Sequence, residues 1–377
     1  MLCDDSAVIR RLVKGALTAD PQLEVVYEAT NGQDAVDKVG STRPDVVILD
    51  VAMPIMDGID AARILRRRSR TLPIIMFSSL TGPGAQATMD ALAAGASDFA
   101  IKPSNSNSFQ AATELVQKEL IGKIRTLVGI RGETEEETVT PVSTSVGQRA
   151  ETSSGLRPVT RLRQETFPSP RQTSQQAGNE KISAIAIGVS TGGPQALSKL
   201  IAMLPKPFPV PILITQHMPP VFTGLLAEQL SQQTGHQVKE AKHRDLVSAG
   251  EILLAPGDFH LTVCRETSHV VAQLDQSPPE NSCRPSVDPL FRSVSKTYGR
   301  EALAVVLTGM GTDGCEGSRS IRQAGGRVFV QDKESSVVWG MPGAVVEIGQ
   351  ADRILPLEQI ATELIRAVES KRQPACV

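Results

Sequence analysis

Fifty residues near the middle of the chain are too poor in apolar side chains to build a core, and that interruption decides the architecture. Residues 131–180 hold fourteen Ser or Thr, four Pro and four Gly against nine apolar residues. Such a segment buries too little apolar surface to offset the entropy of ordering it. Residues 130–180 therefore read as a flexible linker, with a domain over 1–129 before it and another over 181–377 after it. The acids Glu135, Glu136 and Glu137 are nearly balanced by scattered arginines, so the linker is assigned no partner. In both flanks, apolar runs of strand length alternate with amphipathic helical stretches. That is the pattern of α/β domains built on mostly parallel sheets with helices on both faces.

Several function classes fall away on composition. A formal net charge of −2 with 21% charged residues gives no broad basic field, so no nucleic acid partner is expected. Apolar runs such as VVIL at 46–49 and PVPILIT at 209–215 are well short of the roughly 20 residues of a membrane span, and no membrane insertion is expected. Acidic residues arrive by position 4, which argues against a signal peptide. The five cysteines, Cys3, Cys264, Cys283, Cys315 and Cys376, form no CxxC pair. They point to a reducing, cytoplasmic setting without disulfides or a zinc site.

In the amino-terminal flank, strands end in charged or hydroxyl groups. Leu2-Cys3 runs into Asp4-Asp5, PDVVILD ends at Asp50, PIIMFSS reaches Ser78, and SDFAIKP ends at Lys102-Pro103. In an open parallel sheet such ends converge on one crevice. Three carboxylates there repel one another and are most stable sharing a hard cation such as Mg2+. A turn residue or helix cap would account for any one of them alone.

These motifs, DDS at 4–6, LDVAMPIMDG at 49–58, Ser78-Ser79 and Lys102-Pro103, resemble the receiver domain of two-component response regulators. The resemblance implies a flavodoxin-like sheet in the order 2-1-3-4-5. Asp50 would accept a phosphoryl group from a chemotaxis histidine kinase, and Asp4 and Asp5 with Asp50 would hold Mg2+. Ser78 and Lys102 would contact the phosphoryl oxygens, and Phe99 would be a switching aromatic. One departure stands out: only Met1, Leu2 and Cys3 precede the paired acids. The first strand is thus expected to be truncated, with the true start several residues upstream, and its loss should leave backbone groups of two neighbours unpaired.

In the carboxy-terminal flank, three apolar runs each deliver a chemically competent group. ISAIAIGV leads to Ser190, PVPILIT to Gln216-His217, and ALAVVLT to the turn GMGTDG that holds Asp313. A serine needs a base, and the base needs a group to fix its tautomer. Ser190, His217 and Asp313 supply those roles. Gly188-Val189-Ser190-Thr191-Gly192 also fits GxSxG, but histidine before acid is the wrong chain order for an α/β-hydrolase. Taken alone, the serine turn is as well explained by a helix cap or a phosphate site, although GxGxxG and GK[ST] spacings are absent. His236, His243, His260 and His269 receive no role.

GVSTGG, QHMPP, LAPGDFHL, RPSVDPLF, LTGMGTDG and VVWGMPGAV, in that order, resemble the catalytic domain of chemotaxis protein-glutamate methylesterases. The resemblance implies hydrolysis of glutamate γ-methyl esters on methyl-accepting chemotaxis receptors, with deamidation of receptor glutamines. Ser190 would be the nucleophile, His217 the base and Asp313 its orienting acid. The N–H of Met310 would serve the oxyanion together with the turn of Thr191 and Gly192, and RPSVDPLF would lie on the substrate side. No cofactor is expected for the ester reaction, and receiver phosphorylation is expected to stimulate it. The alternative is a response regulator whose output domain binds a partner without catalysis.

Overall fold

The computed structural model describes residues 1–103, 108–130 and 181–369. The linker expected over 130–180 lies, apart from Ile130, outside the described residues, and so does Cys376.

The first flank alternates strand and helix: β1 (Leu2–Cys3), α1 (Ala7–Leu17), β2 (Glu28–Ala29), α2 (Gly32–Thr42), β3 (Val47–Asp50), α3 (Gly58–Arg68), β4 (Ile74–Ser78), α4 (Gly82–Ala94), β5 (Asp98–Ile101) and α5 (Phe109–Val128). The five strands form one parallel sheet in the order β2-β1-β3-β4-β5. Val47, Ile48, Leu49 and the Ile74, Ile75, Met76, Phe77 run are all buried, because helices cover both faces and leave no polar side for alternation to mark. Helix starts follow side-chain caps. Ser6 accepts from the Ile9 N–H, Asn31 from Asp34, Asp57 from Asp60 and Thr81 from Gly84, each satisfying a donor the helix cannot.

The short first strand pairs with each neighbour over two residues only, and the backbone groups of Glu24, Val25 and Val26 ahead of β2 take no hydrogen bond among the described residues, as the expectation above had it. β1 sits at the centre, with Leu2 aligned to both Glu28 and Ile48. The Leu2 N–H donates to Tyr27 O (3.0 Å), Asp4 N–H to Ala29 O (3.2 Å) and Ile48 N–H to Met1 O (2.9 Å). β2 is as short as β1, since only Met1 precedes Leu2 to pair with the residues ahead of Glu28.

The second flank comprises β6 (Ala184–Val189), α6 (Gly193–Ala202), β7 (Ile212–Gln216), α7 (Phe222–Thr234), β8 (Gln237–Glu240), β9 (Glu251–Leu254), β10 (His260–Glu266), β11 (His269–Asp275), α8 (Val287–Tyr298), β12 (Ala302–Val306), α9 (Cys315–Gln323), β13 (Arg327–Gln331), α10 (Gly340–Glu347), β14 (Arg353–Leu355) and α11 (Leu357–Glu369). Seven strands make a parallel sheet in the order β14-β13-β12-β6-β7-β9-β8, while β10 and β11 form a separate antiparallel hairpin. The order reverses at β6. The chain builds outward through β7 on one side and through β12 on the other, which opens a crevice at the carboxyl ends of these central strands.

The two flanks pack against each other through α4 and β5 on one side and α6 and α7 on the other. Phe99 of β5 stacks on Phe222 of α7 with ring centroids 4.6 Å apart and planes at 19°. Gln195 of α6 donates to Leu92 O (2.9 Å) and to Ala96 O. Among the described residues, no helix is long and apolar enough to cross a membrane.

Candidate active site

The crevice beside β6 gathers the three candidate residues. Ser190 leaves β6 in a sharp turn: its N–H donates to Thr308 O (3.0 Å) and its carbonyl accepts from the Gly193 N–H (2.8 Å). Gly192, at φ +78°, makes that turn possible, a conformation costly for a residue with a Cβ. His217 follows β7 and is anchored by its N–H to Val189 O (3.1 Å). Its Nε2 meets Asp313 Oδ2 at 2.7 Å.

Asp313 is held from several directions. Oδ2 also accepts the Val287 N–H (2.7 Å). Oδ1 accepts the Ser286 hydroxyl (2.9 Å), Asn281 Nδ2 (2.9 Å), and the N–H groups of Asp288 (3.1 Å) and Gly314 (2.9 Å). Burial opposes its charge, but the His217 ring and these donors outweigh burial and hold its carboxyl below the usual range. Burial likewise works against a charged His217, yet the bonds to Asp313 and Cys283 prevail and raise its pKa to about 9. Asp288, nearby, goes the other way: burial and then the Asp313 charge push it up, against the Gly317 N–H it accepts.

Two features differ from the sequence reading. No hydrogen bond joins the Ser190 hydroxyl to His217; the ring's other nitrogen, Nδ1, faces Cys283 Sγ at 3.5 Å. Nucleophile–base contacts are commonly loose before substrate arrives. RPSVDPLF, read as substrate-side, instead cradles the acid, since Ser286, Val287 and Asp288 all donate to Asp313. The N–H groups of Thr191, Gly192 and Met310, the expected oxyanion donors, take no acceptor among the described residues.

A cavity of about 390 Å³ lies over the crevice. Ser190, His217, Cys283 and Met310 line one wall, and Asp98, Phe99 and Lys123 of the first flank line the other. Asp98 Oδ2 accepts the Thr191 hydroxyl at 2.8 Å, while its Oδ1 pairs with Lys123 Nζ at 3.1 Å. The sequence reading missed Asp98, Cys283 and Asn281. An acid opening the strand SDFAI was the one local signal, and only the fold reveals what it touches.

The first flank's own crevice holds Asp4, Asp5 and Asp50, whose ligand oxygens lie within 4.8 Å of one another. Lys102 Nζ bridges Asp4 Oδ2 (2.8 Å) and Asp50 Oδ1 (2.7 Å). Burial raises the Asp50 pKa despite the Lys102 ammonium. Burial alone would lower Lys102, but the two carboxylates raise it overall. Three carboxylates so close are a hard donor set suited to Mg2+. Ser78 is engaged with α4: it accepts the Thr88 hydroxyl at 2.6 Å and donates to Gly84 O at 3.2 Å.

A doubly wound domain with an acidic switch-point cluster, joined to a second with a Ser, His and Asp crevice, defines a class: a response-regulator hydrolase. Comparison with known proteins narrows it. The response regulator receiver domain matches residues 1–114 and the CheB methylesterase family matches residues 185–364. A protein-glutamate methylesterase/protein-glutamine glutaminase from Trichodesmium erythraeum is 46% identical over 368 residues, 98% of each chain. One from a Nocardioides species is 44% identical over 99% of this chain and 96% of its own. The crystal structure of the Thermotoga maritima CheB methylesterase catalytic domain, 43% identical, covers 50% of this chain and 99% of that one, with a TM-score of 0.49. The chain belongs to the protein-glutamate methylesterase/protein-glutamine glutaminase family.

Proposed function

We propose that this protein hydrolyses γ-methyl esters of glutamate on methyl-accepting chemotaxis receptors, releasing methanol, and deamidates receptor glutamines at the same site. The observation that carries the reading is the 2.7 Å contact of His217 with Asp313 beside Ser190, at the point where the parallel sheet reverses its order. Asp313 engages Nε2, which leaves Nδ1 to receive the Ser190 proton. The freed oxygen attacks the ester carbonyl carbon, and the N–H groups of Thr191, Gly192 and Met310 receive the oxyanion. One such donor is worth about 10²–10³ in rate. The imidazolium returns the proton to the departing methoxide, and a water then repeats the sequence on the acyl-enzyme. An amide follows the same path with ammonia leaving, where proton donation matters more.

The first domain regulates this site. A chemotaxis histidine kinase supplies the phosphoryl group to Asp50. Asp4, Asp5 and Asp50 would hold Mg2+, which when bound would neutralise charge on the phosphoryl oxygens. Lys102, one residue beyond β5, turns from the carboxylates to the phosphoryl group, and Ser78 leaves α4 to join it. Asp98 opens the same strand, about 13 Å from Lys102 at the usual rise per residue. Phe99 and Asp98 are the first domain's contacts with Phe222 and Thr191, so displacement of β5 opens the cavity.

Methanol release from methylated receptor membranes tests the reading. The protein should release it faster with a small acyl phosphate present, and Ser190→Ala should abolish release while still binding receptor. Full activity in Ser190→Ala refutes the assignment.

A further inference from the structure

The turn after β6 contains two glycines, and only the first needs glycine for its backbone. Gly192 lies at φ +78°, whereas Gly193 lies outside the left-handed region, where any residue is conformationally free. What stands against a side chain at 193 is first Gln216, and then Val189, whose Cγ2 would lie 2.8 Å from a Cβ there. A Cβ there would fall 1.9 Å from Gln216 Oε1 and 2.9 Å from its Cδ.

Gln216 ends β7 and is 2% exposed. Its Nε2 donates to Ser190 O at 3.0 Å and to His217 O at 3.2 Å. One amide group thus ties the turn that carries the serine to the residue that carries the imidazole. Its Oε1 is buried and has no partner among the described residues. An orphaned buried acceptor costs stability, and an apolar side chain of similar volume would avoid that cost. A glutamine kept at this place, with a glycine opposite to admit it, is explained by what its donors hold.

We propose that Gln216 is a positioning residue: its amide fixes the separation of Ser190 and His217, and Gly193 is glycine so that this amide can sit between them. The inference rests on the reading of Ser190 and His217 as nucleophile and base. Proton transfer between them is steeply sensitive to distance, and beyond the β6–β7 ladder that ends at Val189 and Gln216 and the His217 N–H to Val189 O, this amide is what ties the two residues. Gln216 borders the cavity but is almost wholly buried, and its amide reaches Ser190 and His217 through their two carbonyls.

The test measures kcat and KM for methanol release in Gln216→Met, Gln216→Ala, Gly193→Ala and the Gly193→Ala/Gln216→Ala double variant, each expressed per serine titrated with a fluorophosphonate. Gln216→Met should lower kcat by about 10–100-fold, the scale of an ångström's misplacement of reacting groups. KM should stay within about twofold, and the acid limb of the pH profile should not move, because geometry and not basicity has changed. Gly193→Ala should produce a similar loss by expelling the amide. In the double variant, the glycine substitution should add clearly less than it costs alone, the remainder coming from its contact with Val189 Cγ2. Two results overturn the proposal: kcat per titrated serine within about twofold of the parent in Gln216→Met, or losses that multiply in the double variant. Methanol release surviving in Ser190→Ala is a different failure, that of the reading of the site itself.

Discussion

Asp50 and Asp313 occupy equivalent places, each buried beside the switch point of a parallel sheet, yet their chemistry diverges. Asp313 takes six hydrogen bonds, from His217, Asn281, Ser286, Val287, Asp288 and Gly314. Burial works against its charge, but these partners keep its carboxyl below the usual range. Asp50 has the Val51 N–H at 2.7 Å and Lys102. There burial prevails and its carboxyl is pushed up. A carboxylate saturated with donors is a fixed charge, fit to hold a histidine. One with few partners beside an ammonium keeps its oxygens available for reaction. The same sheet edge supports either role, and the density of donors around the carboxylate selects between them.

The largest test of that contrast is Asp313→Asn. Losing the fixed charge frees the imidazole to adopt the wrong tautomer, and methanol release should fall by about 10⁴-fold. Asp50→Asn should instead remove the response to acyl phosphate. An equal collapse of basal turnover in both variants would erase the distinction.

Next is the pH dependence. The base must be neutral to accept the serine proton, and the His217 pKa is raised to about 9. Below that value kcat/KM should fall about tenfold per pH unit, with a plateau above it. Burial acts to lower this pKa, while Asp313 and the Cys283 thiol raise it, so Cys283→Ala should move the limb to lower pH. A profile already flat at neutral pH would show that the Asp313 charge does not govern the imidazole.

The smallest effect concerns the surface between the domains. Asp98→Ala removes the acceptor of the Thr191 hydroxyl and the partner of Lys123. Basal methanol release should rise by about 10-fold, as one charge-assisted hydrogen bond of roughly 1.5 kcal/mol implies. Unchanged basal release, measured without phosphodonor, would show that this contact does not restrain the site.

Sequence made the strand ends legible because each is a local event: an apolar run and the residue that stops it. Ser190, His217 and Asp313 were singled out as candidates that way, as were Asp4, Asp50 and Lys102. What surrounds them was not legible. Cys283 is 66 positions from His217 and Asp98 is 93 from Thr191, and neither pairing leaves a trace in spacing. RPSVDPLF was visible as a motif, but its task of donating to Asp313 depends on how α8 begins beneath the crevice. The shortness of the first strand was legible, because the count of residues before Asp4 is itself a local feature. The sequence gives no sign of the Gln216 amide that faces Gly193.

Asp98, shared between Lys123 of its own domain and Thr191 of the other, carries a thermodynamic obligation. If a phosphoryl group on Asp50 weakens that grip and so favours receptor in the crevice, linkage requires the converse to the same degree. A receptor segment lodged beside Ser190 must tighten the first domain's hold on a phosphoryl mimic by an identical factor. The substrate is then also an effector, and a poorly methylated receptor array would leave the switch harder to load.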